Sequence, residues 1–359
     1  MKLLRLASTI NPTSAPYNQF ALGFKDNTEQ TFCSLYQNDI LIDPSIRVLD
    51  GSGSILKTIT LLKKALRDNT FDVIHIHSGL MGAIFFISIF PFKLPLLRKT
   101  IFTLHNSWHV LKKRNQYLNI FIMLLVKNIC TCGLASRNSI PASLNFFISH
   151  KTKSIVNGFD NERIDYIKKN TPYQPHFEQN SKLKILCVGA LITTKNQLAL
   201  LQAIERCNLD AEVIFLGNGD KREELINYSN SLSASTSIEF KGRVSRNKTI
   251  EHMLQADISI SLSKGEGLPI AVLESMYAGC FLILSDILPH KEIAPPEERS
   301  ILIDLSESHK IDKALEFVIS NIDQIRANRD VSKDYASSKF GMKHMLSGYM
   351  DIYTSYLKT

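Results

Sequence analysis

Two glutamates eight positions apart, Glu266 and Glu274, are the residues whose placement most directly suggests chemistry. They stand in SLSKGEGLPIAVLESMYAGC (261–280), separated by a glycine, a proline and an apolar run. Because proline suits the first turn of a helix, we expect a helix to begin near Leu268, with Glu266 in the loop before it and Glu274 inside it. The backbone N–H groups around Gly267–Ile270 would then lack intrahelical acceptors and attract a phosphate.

A ligand that carries hydroxyl groups on both sides of a phosphate would use both carboxylates. Glu266 could accept hydrogen bonds from a sugar, and Glu274 could hold a vicinal diol such as a ribose. Each such charged hydrogen bond is worth about 1.5–3 kcal/mol. A surface helix with ordinary solvated glutamates would show the same spacing, and spacing alone leaves both interpretations open.

Strand-like and helical runs alternate along the chain, which predicts an α/β protein with two doubly wound domains. One series runs from LLRLAST (3–9) to a helical pattern over 115–136, and a second runs from LKILCVGA (183–190) to FLILSD (281–286). The polar segment 170–182 is expected to join them. Open sheets of this kind bind ligands beyond the carboxyl ends of their strands, where the 261–280 loop would lie.

Charge is distributed unevenly over the 359 residues. The net charge is +8, yet residues 1–170 hold 21 Lys and Arg against 10 Asp and Glu. This basic half suits an anionic membrane surface or a phosphorylated substrate, and no nucleic-acid motif accompanies it. The six cysteines follow no zinc or disulfide framework, so we expect a cytoplasmic protein. The basic half would place it peripherally at the inner face of the membrane. The longest apolar run (79–92) is shorter than the roughly 20 residues that span a bilayer.

Several segments resemble the retaining GT-B glycosyltransferases of family 4, the glycosyl transferases group 1. EGLPIAVLE (266–274) resembles their E-x7-E motif, while VGALITTKNQ (188–197) and FLGNGDKREEL (215–225) resemble their phosphate-gripping loops. VNGFD (156–160) and IFTLHNSW (101–108) resemble two further elements. The likeness covers nearly the whole C-terminal half and is scattered through the N-terminal half.

The resemblance implies the GT-B fold, in which two Rossmann-like, doubly wound α/β domains face a cleft and the last helix crosses back to the N-terminal domain. Residues 1–170 with the terminal helix 338–359 would form the acceptor-binding domain. Residues 171–337 would form the nucleotide-sugar-binding domain.

The same resemblance implies roles for individual residues. Catalysis would involve Glu266 at the sugar hydroxyls, Lys195 at the diphosphate and His105 facing the sugar from the N-terminal domain. The donor-binding positions would be Glu274 at the ribose, Val244 near the base, and Gly267, Leu268, Pro269, Gly189, Gly217 and Arg243 around the sugar and diphosphate. The acceptor-side positions would be Tyr17, Asn18 and Trp108, although core packing accounts equally well for the tryptophan.

The chain departs from the family pattern at Ala190, where an arginine usually stands. Lys195 would then carry more of the diphosphate charge, or Arg243 would substitute. The N-terminal loop NPTSAPYNQF (11–20) also lacks the usual double glycine.

The sequence contains no D-x-D triplet, so we expect no metal and no cofactor besides the donor. Lys195, backbone amides and helix N-termini would offset the leaving charge. Front-face departure, in which the leaving phosphate takes the acceptor proton, needs no enzymic nucleophile. We also expect His75 and His77 to point to opposite faces of their strand.

The sequence therefore predicts a retaining, metal-independent hexosyltransferase. Its donor would be a nucleotide sugar, with a UDP-sugar favoured over a GDP-sugar, and its acceptor a glycan that is lipid-linked. The setting would be bacterial surface polysaccharide biosynthesis: lipopolysaccharide O-antigen, capsule or exopolysaccharide. The alternatives are a non-catalytic nucleotide-sugar-binding partner of other transferases and a GT-B epimerase, although the double-histidine and arginine-rich phosphate grip expected of the epimerase is missing.

Overall fold

The computed structural model describes residues 1–10, 16–26, 28–36, 43–171, 181–232 and 235–357. The chain forms two compact units: residues 1–158 with 342–359, and residues 159–341. Most of the segment that we expect to join two domains, 172–180, lies outside the described residues. The acceptor-binding and donor-binding roles given to the two domains stay predictions.

The first unit is built on a parallel sheet. Its seven described strands lie in the order β3-β2-β1-β4-β5-β6-β7. The strands are β1 Lys2–Ala7, β2 Glu29–Ser34, β3 Ile46–Asp50, β4 Val73–Ile76, β5 Thr100–Leu104, β6 Asn128–Thr131 and β7 Thr152–Ser154. Most of their residues are buried, as expected where both faces of a parallel sheet are covered.

The helices of the first unit are fixed by caps and apolar contacts. They are α1 Ile55–Asp68, α2 Gly79–Ile89, α3 Lys113–Leu125, α4 Leu134–Asn138 and α5 Ala142–Ile148, with short helical turns at Pro16–Ala21, Leu94–Lys99, Trp108–Val110 and Ser149–Lys151. Ser54 caps α1 and Ser78 caps α2, each accepting from an N–H three residues on. The apolar run at 79–92 thus forms an 11-residue helix that packs against α1 and α3. Within the described residues, no helix combines the length and hydrophobicity needed to cross a bilayer.

The second unit has its own parallel sheet. Its six described strands lie in the order β10-β9-β8-β11-β12-β13. The strands are β8 Leu183–Val188, β9 Ala211–Leu216, β10 Ser237–Gly242, β11 Ile258–Ser261, β12 Phe281–Ser285 and β13 Ser300–Ile303. The helices are α6 Asn161–Asn170, α7 Gln197–Arg206, α8 Arg222–Asn230, α9 Arg246–Gln255, α10 Ile270–Tyr277, α11 Leu288–Ile293, α12 His309–Ser320, α13 Ile322–Ala327 and α14 Lys333–Phe340, with a short turn at Thr193–Lys195.

The last helix, α15 (Met342–Ser355), belongs to the first unit. Its buried residues include Met345, Tyr349 and Tyr353, which pack with Leu3 and Phe20. Apolar residues at helical spacing thus form one buried face, as the sequence pattern indicates. The helix lies on the first unit as the fold class requires.

Candidate functional site

The loop between β11 and α10 lies at the carboxyl edge of the second sheet. The helix begins at Ile270, and Pro269 is its N-cap with a ψ of 91°. This start is two residues later than the sequence indicates, because the extended Pro269 backbone cannot begin the helix. Val272 N–H donates to Pro269 O at 3.0 Å, so the amides ahead of it have no intrahelical acceptor. Gly267 and Leu268 are buried, which packs this part of the loop onto the sheet edge.

Glu266 and Lys195 meet at this edge. The Lys195 ammonium contacts Glu266 Oε1, and Ser263 Oγ donates to the same oxygen at 2.6 Å. The loop is also tied to the turn that carries the lysine, since Lys264 N–H donates to Thr194 O at 2.8 Å. Two of the predicted catalytic side chains are therefore adjacent, with a cation in place to meet a phosphate.

Glu274 is 2% exposed, which excludes the solvated surface glutamate for this residue. Its carboxylate contacts the guanidinium of Arg246 at the start of α9. Burial chiefly, together with the nearby Arg163, lowers the pKa of Arg246 to about 10, while Asp160 acts in the opposite direction. The Nε of Arg246 is buried without a hydrogen-bond partner. The arginine stays charged at neutral pH and holds Glu274 in a fixed position.

Sequence reasoning missed Arg246, and it proposed Arg243 only as a cation at the diphosphate. Arg243 is exposed and Val244 is partly buried, in the loop after β10. The VNGFD segment supplies Asp160, which caps α6 by accepting from Arg163 N–H at 3.0 Å. Because α6 packs against both α9 and α10, these charges surround the Arg246 guanidinium. The sequence did contain a signal for such a partner, because Glu274 stands within an apolar helix. A carboxylate that is buried there needs a cation or hydrogen-bond donors beside it.

Two glycines allow neighbouring strand ends to lie close together. Gly189 N–H donates to Leu216 O at 2.9 Å, and Gly217 N–H donates to Gly242 O at 2.8 Å. Gly217 has a φ of +143°, and a Cβ there would lie 1.9 Å from Gly189 O. Ala190, the position of the usual arginine, is exposed beside them. The two glycine strand ends thus pack closely, with an uncharged residue beside them, and their role at a phosphate stays a prediction.

Replacing Gly217 with alanine is expected to destabilise the second unit. The new methyl group would collide with a backbone carbonyl, and a side chain would be forced into a positive φ. We expect a loss of about 2–4 kcal/mol in the free energy of unfolding, measured by urea denaturation. Gly53→Ala is the control, because it also has a positive φ of 83° but nothing within 4 Å of an added Cβ. Equal losses in both variants would contradict the close-approach argument.

His290 is a further buried group at the site that sequence reasoning missed. Its Nδ1 lies 3.0 Å from Ser285 Oγ and its Nε2 lies 3.3 Å from Ser261 Oγ. Burial lowers its pKa, whereas the Ser285 carbonyl and the Glu266 carboxylate raise it. The neutral ring therefore links the carboxyl ends of β11 and β12 through these two serines, close to Glu266. Among the described residues, no group of three His, Cys, Asp or Glu side chains could hold a metal ion.

The first unit has its own pocket of about 200 Å³ at the carboxyl edge of its sheet, beyond the ends of the neighbouring strands β1, β4 and β5. His77 and His105 line it, and His77 Nδ1 lies 3.0 Å from His105 Nε2. The other nitrogen of each ring is buried without a partner. From β1 the chain continues to β2 on one side, and from the neighbouring β4 it continues to β5 on the other side. Ligands of open α/β sheets commonly bind where the strand order reverses in this way.

The expectation that His75 and His77 point to opposite faces is wrong. Residues two apart on a strand share a face, and these two rings lie 4.1 Å apart between centroids. His75 Nδ1 lies 3.1 Å from Arg5 Nη1 and its Nε2 lies 2.7 Å from Thr103 Oγ1. Because arginine can only donate, Nδ1 of His75 accepts and Nε2 carries the proton.

The acceptor-side residues receive less support. Trp108 is buried in the apolar core of the first unit, and its backbone N–H donates to Ser139 Oγ at 2.7 Å. Core packing therefore accounts for the position of the tryptophan. The side chains of Tyr17 and Asn18 lie outside the described part of the chain. The acceptor-side roles stay predictions.

The histidine cluster is expected to make the first unit lose stability in acid. Burial lowers the pKa of His75 and His77 well below the ordinary value, with further lowering by Arg5 and the neighbouring rings, and burial lowers the pKa of His105 to about 4. The unfolded chain binds protons below about pH 6.5 and the folded chain does not, so stability falls as pH falls from there towards 4. Each histidine contributes a slope of up to about 1.4 kcal/mol per pH unit.

Unfolding at a series of pH values measures this slope. His105→Gln should flatten it, whereas the exposed His309→Gln should leave it unchanged. A slope that is the same in all three proteins would refute the assignment.

The sequence of the second unit matches a known protein family. Residues 169–333, which include Lys195, Glu266 and Glu274, match the family model described as "Glycosyl transferases group 1". This segment is thus similar in sequence to the glycosyl transferases group 1 family. The matched segment lies within the second unit and accounts for nearly all of it.

Individual glycosyltransferases also resemble this chain in sequence or in structure. A 248-residue stretch is 30% identical to the capsular polysaccharide biosynthesis glycosyltransferase CapH of Staphylococcus aureus. The aligned stretch covers 66% of this chain and 64% of CapH, so the chain spans less than two thirds of that relative. A 162-residue stretch is 27% identical to a GDP-mannose:cellobiosyl-diphosphopolyprenol alpha-mannosyltransferase of Xanthomonas oryzae, covering 44% of this chain and 42% of that protein. HepE of Anabaena, solved with UDP and glucose, superposes with a TM-score of 0.79 at 15% identity, covering 99% of this chain and all of HepE. The GT-B fold is thereby established for this chain.

Proposed function

We propose that this protein is a retaining hexosyltransferase. It moves a hexose from a nucleoside diphosphate sugar to a lipid-linked glycan in bacterial surface polysaccharide synthesis. The observation that carries the proposal is the arrangement at one sheet edge of the second unit. There, Glu266 contacts Lys195, and Glu274 contacts Arg246, on the loop and helix that follow β11.

The donor would lie along this edge. Glu274 would accept both hydroxyls of the ribose, and Lys195 with the α10 amides would face the diphosphate. Glu266 would then exchange its contact with Lys195 for hydroxyls of the sugar. A UDP-sugar is the first donor to test, because HepE was solved with UDP and glucose, and the Xanthomonas relative makes GDP-mannose the second.

The chemistry assigned to the site needs no enzymic nucleophile. The bond between the anomeric carbon and the phosphate oxygen breaks on the face where the acceptor oxygen enters. The acceptor proton passes to the departing phosphate oxygen, so the configuration is retained. Lys195 would stabilise the negative charge on the leaving diphosphate, and His105 would orient the sugar.

The acceptor is proposed from the relatives. The name of the Xanthomonas protein specifies a diphosphopolyprenol acceptor, and that of the staphylococcal protein specifies capsular polysaccharide. A lipid-linked acceptor would bring this chain to the cytoplasmic face of a membrane.

Product formation tests the proposal. The purified chain is incubated with UDP-hexoses and GDP-hexoses and a panel of lipid diphosphate saccharides, with and without EDTA. We expect a glycosylated lipid by mass spectrometry, an anomeric configuration unchanged from the donor by NMR, and no effect of EDTA. Failure of every donor to react or to raise the melting temperature would refute it. Saturation at 100 times the Kd stabilises a protein by about 2.7 kcal/mol, which a melting scan detects.

Two other outcomes separate the alternatives. Nucleotide-sugar binding without any transfer would favour a non-catalytic partner of other transferases, for which the missing arginine at Ala190 is the supporting observation. Release of nucleotide without acceptor, with a glycal intermediate, would favour an epimerase.

A further inference from the structure

A long part of the first unit has no acidic side chain. From Val73 to Phe159 the sequence contains ten Lys and Arg residues and neither Asp nor Glu. This stretch supplies β4 to β7 and helices α2 to α5. It therefore offers no carboxylate of its own to offset its positive charge, which favours an external anionic partner.

The helices of this stretch form one continuous layer. β4, β5, β6 and β7 lie side by side in chain order, and right-handed connections place α2, α3 and α5 on the same side of the sheet. α2 packs against α3, and α3 packs against α5. The outer surface of α2 and α3 is thus a single surface within the first unit.

Large apolar side chains are exposed along that surface. On α3, Tyr117, Phe121 and Leu124 follow one another at helical spacing, and all are exposed. The Phe121 ring meets Phe86 of α2 edge-on, with centroids 5.1 Å apart. Beyond it, the end of α2 and the residues after it expose further apolar side chains. We name the α2–α3 ridge as Ile87, Phe90, Phe92, Tyr117, Phe121 and Leu124.

Basic residues lie at the start of the α3 stripe. Lys112, Lys113 and Arg114 precede it and are exposed, whereas the exposed Lys127 after it places its ammonium over the Tyr356 ring, 4.8 Å from the centroid. Arg114 also lines the pocket that contains His77 and His105. The ridge therefore extends from the mouth of that pocket, with cations where an anionic surface would meet it.

We propose that the α2–α3 ridge docks on an anionic lipid bilayer. Exposed aromatic and aliphatic side chains enter the headgroup region, and the flanking lysines contact lipid phosphates. A second copy of this chain is disfavoured as the occupant, because pairing two ridges would bring like charges together without a carboxylate. The inference deepens the proposed function, since it places the pocket in reach of a lipid-linked acceptor, but vesicle binding requires neither donor nor acceptor.

Sedimentation with vesicles tests the proposal on the full chain. Vesicles of phosphatidylcholine with an equal part of phosphatidylglycerol should bind the protein, and binding should weaken in high salt. Vesicles of phosphatidylcholine alone should bind it at least about tenfold more weakly, because several lysines each lose an attraction to the surface.

Matched pairs of variants locate the surface. Tyr117→Ser and Tyr166→Ser each remove a helix-borne tyrosine, 70% and 67% exposed, from the first and second units. Lys113→Glu and the exposed Lys313→Glu form the charge pair. We expect about fivefold or greater loss of vesicle binding from each ridge variant and none from its control, with melting temperatures unchanged in all four.

Several results would overturn the proposal. They are no vesicle binding by the wild type, equal binding to both kinds of vesicle, and equal losses in ridge and control variants. Concentration-dependent dimerisation that Tyr117→Ser abolishes would assign the ridge to a second copy instead. Vesicle binding by a chain that transfers no sugar would support the docking surface and refute only the proposed reaction.

Discussion

Replacing Glu274 with glutamine is expected to reduce sugar transfer by about 10- to 150-fold, the equivalent of one charged hydrogen bond. The glutamine keeps the size of the side chain and one acceptor oxygen for Arg246, but it loses the charge that would hold the ribose hydroxyls. The fold should survive, with a loss of about 1–3 kcal/mol in the free energy of unfolding. Steady-state rates per folded molecule and urea denaturation measure the two effects.

The exposed Glu316→Gln on α12 is the matched control and should change neither quantity. Arg246→Met separates positioning from ligand contact. It leaves the Glu274 charge buried without its partner, so it should cost more stability than Glu274→Gln, about 3–5 kcal/mol. If Glu274→Gln lowers nucleotide affinity only slightly and leaves transfer intact, the residue is structural. If no wild-type transfer exists and only binding falls, the non-catalytic alternative gains support.

Replacing Lys195 with methionine is expected to lower kcat by about 100- to 1000-fold, the usual effect of removing one group that stabilises transition-state charge. The effect should be at the upper end here, because Ala190 supplies no second cation beside the diphosphate. Methionine preserves most of the packing of the lysine chain against Gly189, where an added Cβ would lie 3.6 Å from Lys195 Cε. KM should change little if the lysine acts mainly on the leaving group.

Lys264→Met is the control, since this lysine lies on the same loop as Glu266 but its side chain is exposed. It should keep nearly full activity. Lys195→Arg should recover part of the lost rate, because the charge is restored with a different shape. Equal effects of Lys195→Met and Lys264→Met would show that the loop charge as a whole matters, and would refute the specific assignment.

The sequence was informative where a short segment carries its own geometry. The β11 strand, the glycine loop and α10 are contiguous, so the approximate position of Glu266 and Glu274 followed from local patterns. Gly189 and Gly217 were singled out differently, by the resemblance of their segments to the loops of a known family. The start of α10 was misplaced by two residues because proline can occupy the N-cap as well as the first turn.

Long-range partners were not predictable in this way. Arg246 lies 28 positions before Glu274, and nothing local marked it as the partner of that carboxylate until the packing of α9 on α10 was known. His290 reaches the site from the helix after β12, and nothing in its local sequence marks it. The histidine error had another cause. Successive residues of a strand alternate between its two faces, so residues 75 and 77 share a face, but they were assigned to opposite faces. The cluster of His75, His77 and His105 was therefore missed.

A buried hydrogen bond joins β1 to α15 within the first unit. Arg5 is fully buried and donates through Nη1 to Tyr353 Oη at 2.9 Å, across 348 positions of the sequence. The second unit is one contiguous stretch and can fold as soon as it leaves the ribosome, whereas the first unit needs α15, which is synthesised after the second unit. Until then, Arg5 keeps its contacts with Gln30 and His75 but lacks the Tyr353 hydroxyl. The N-terminal part of the chain therefore acquires the helix that completes its unit only at the end of synthesis.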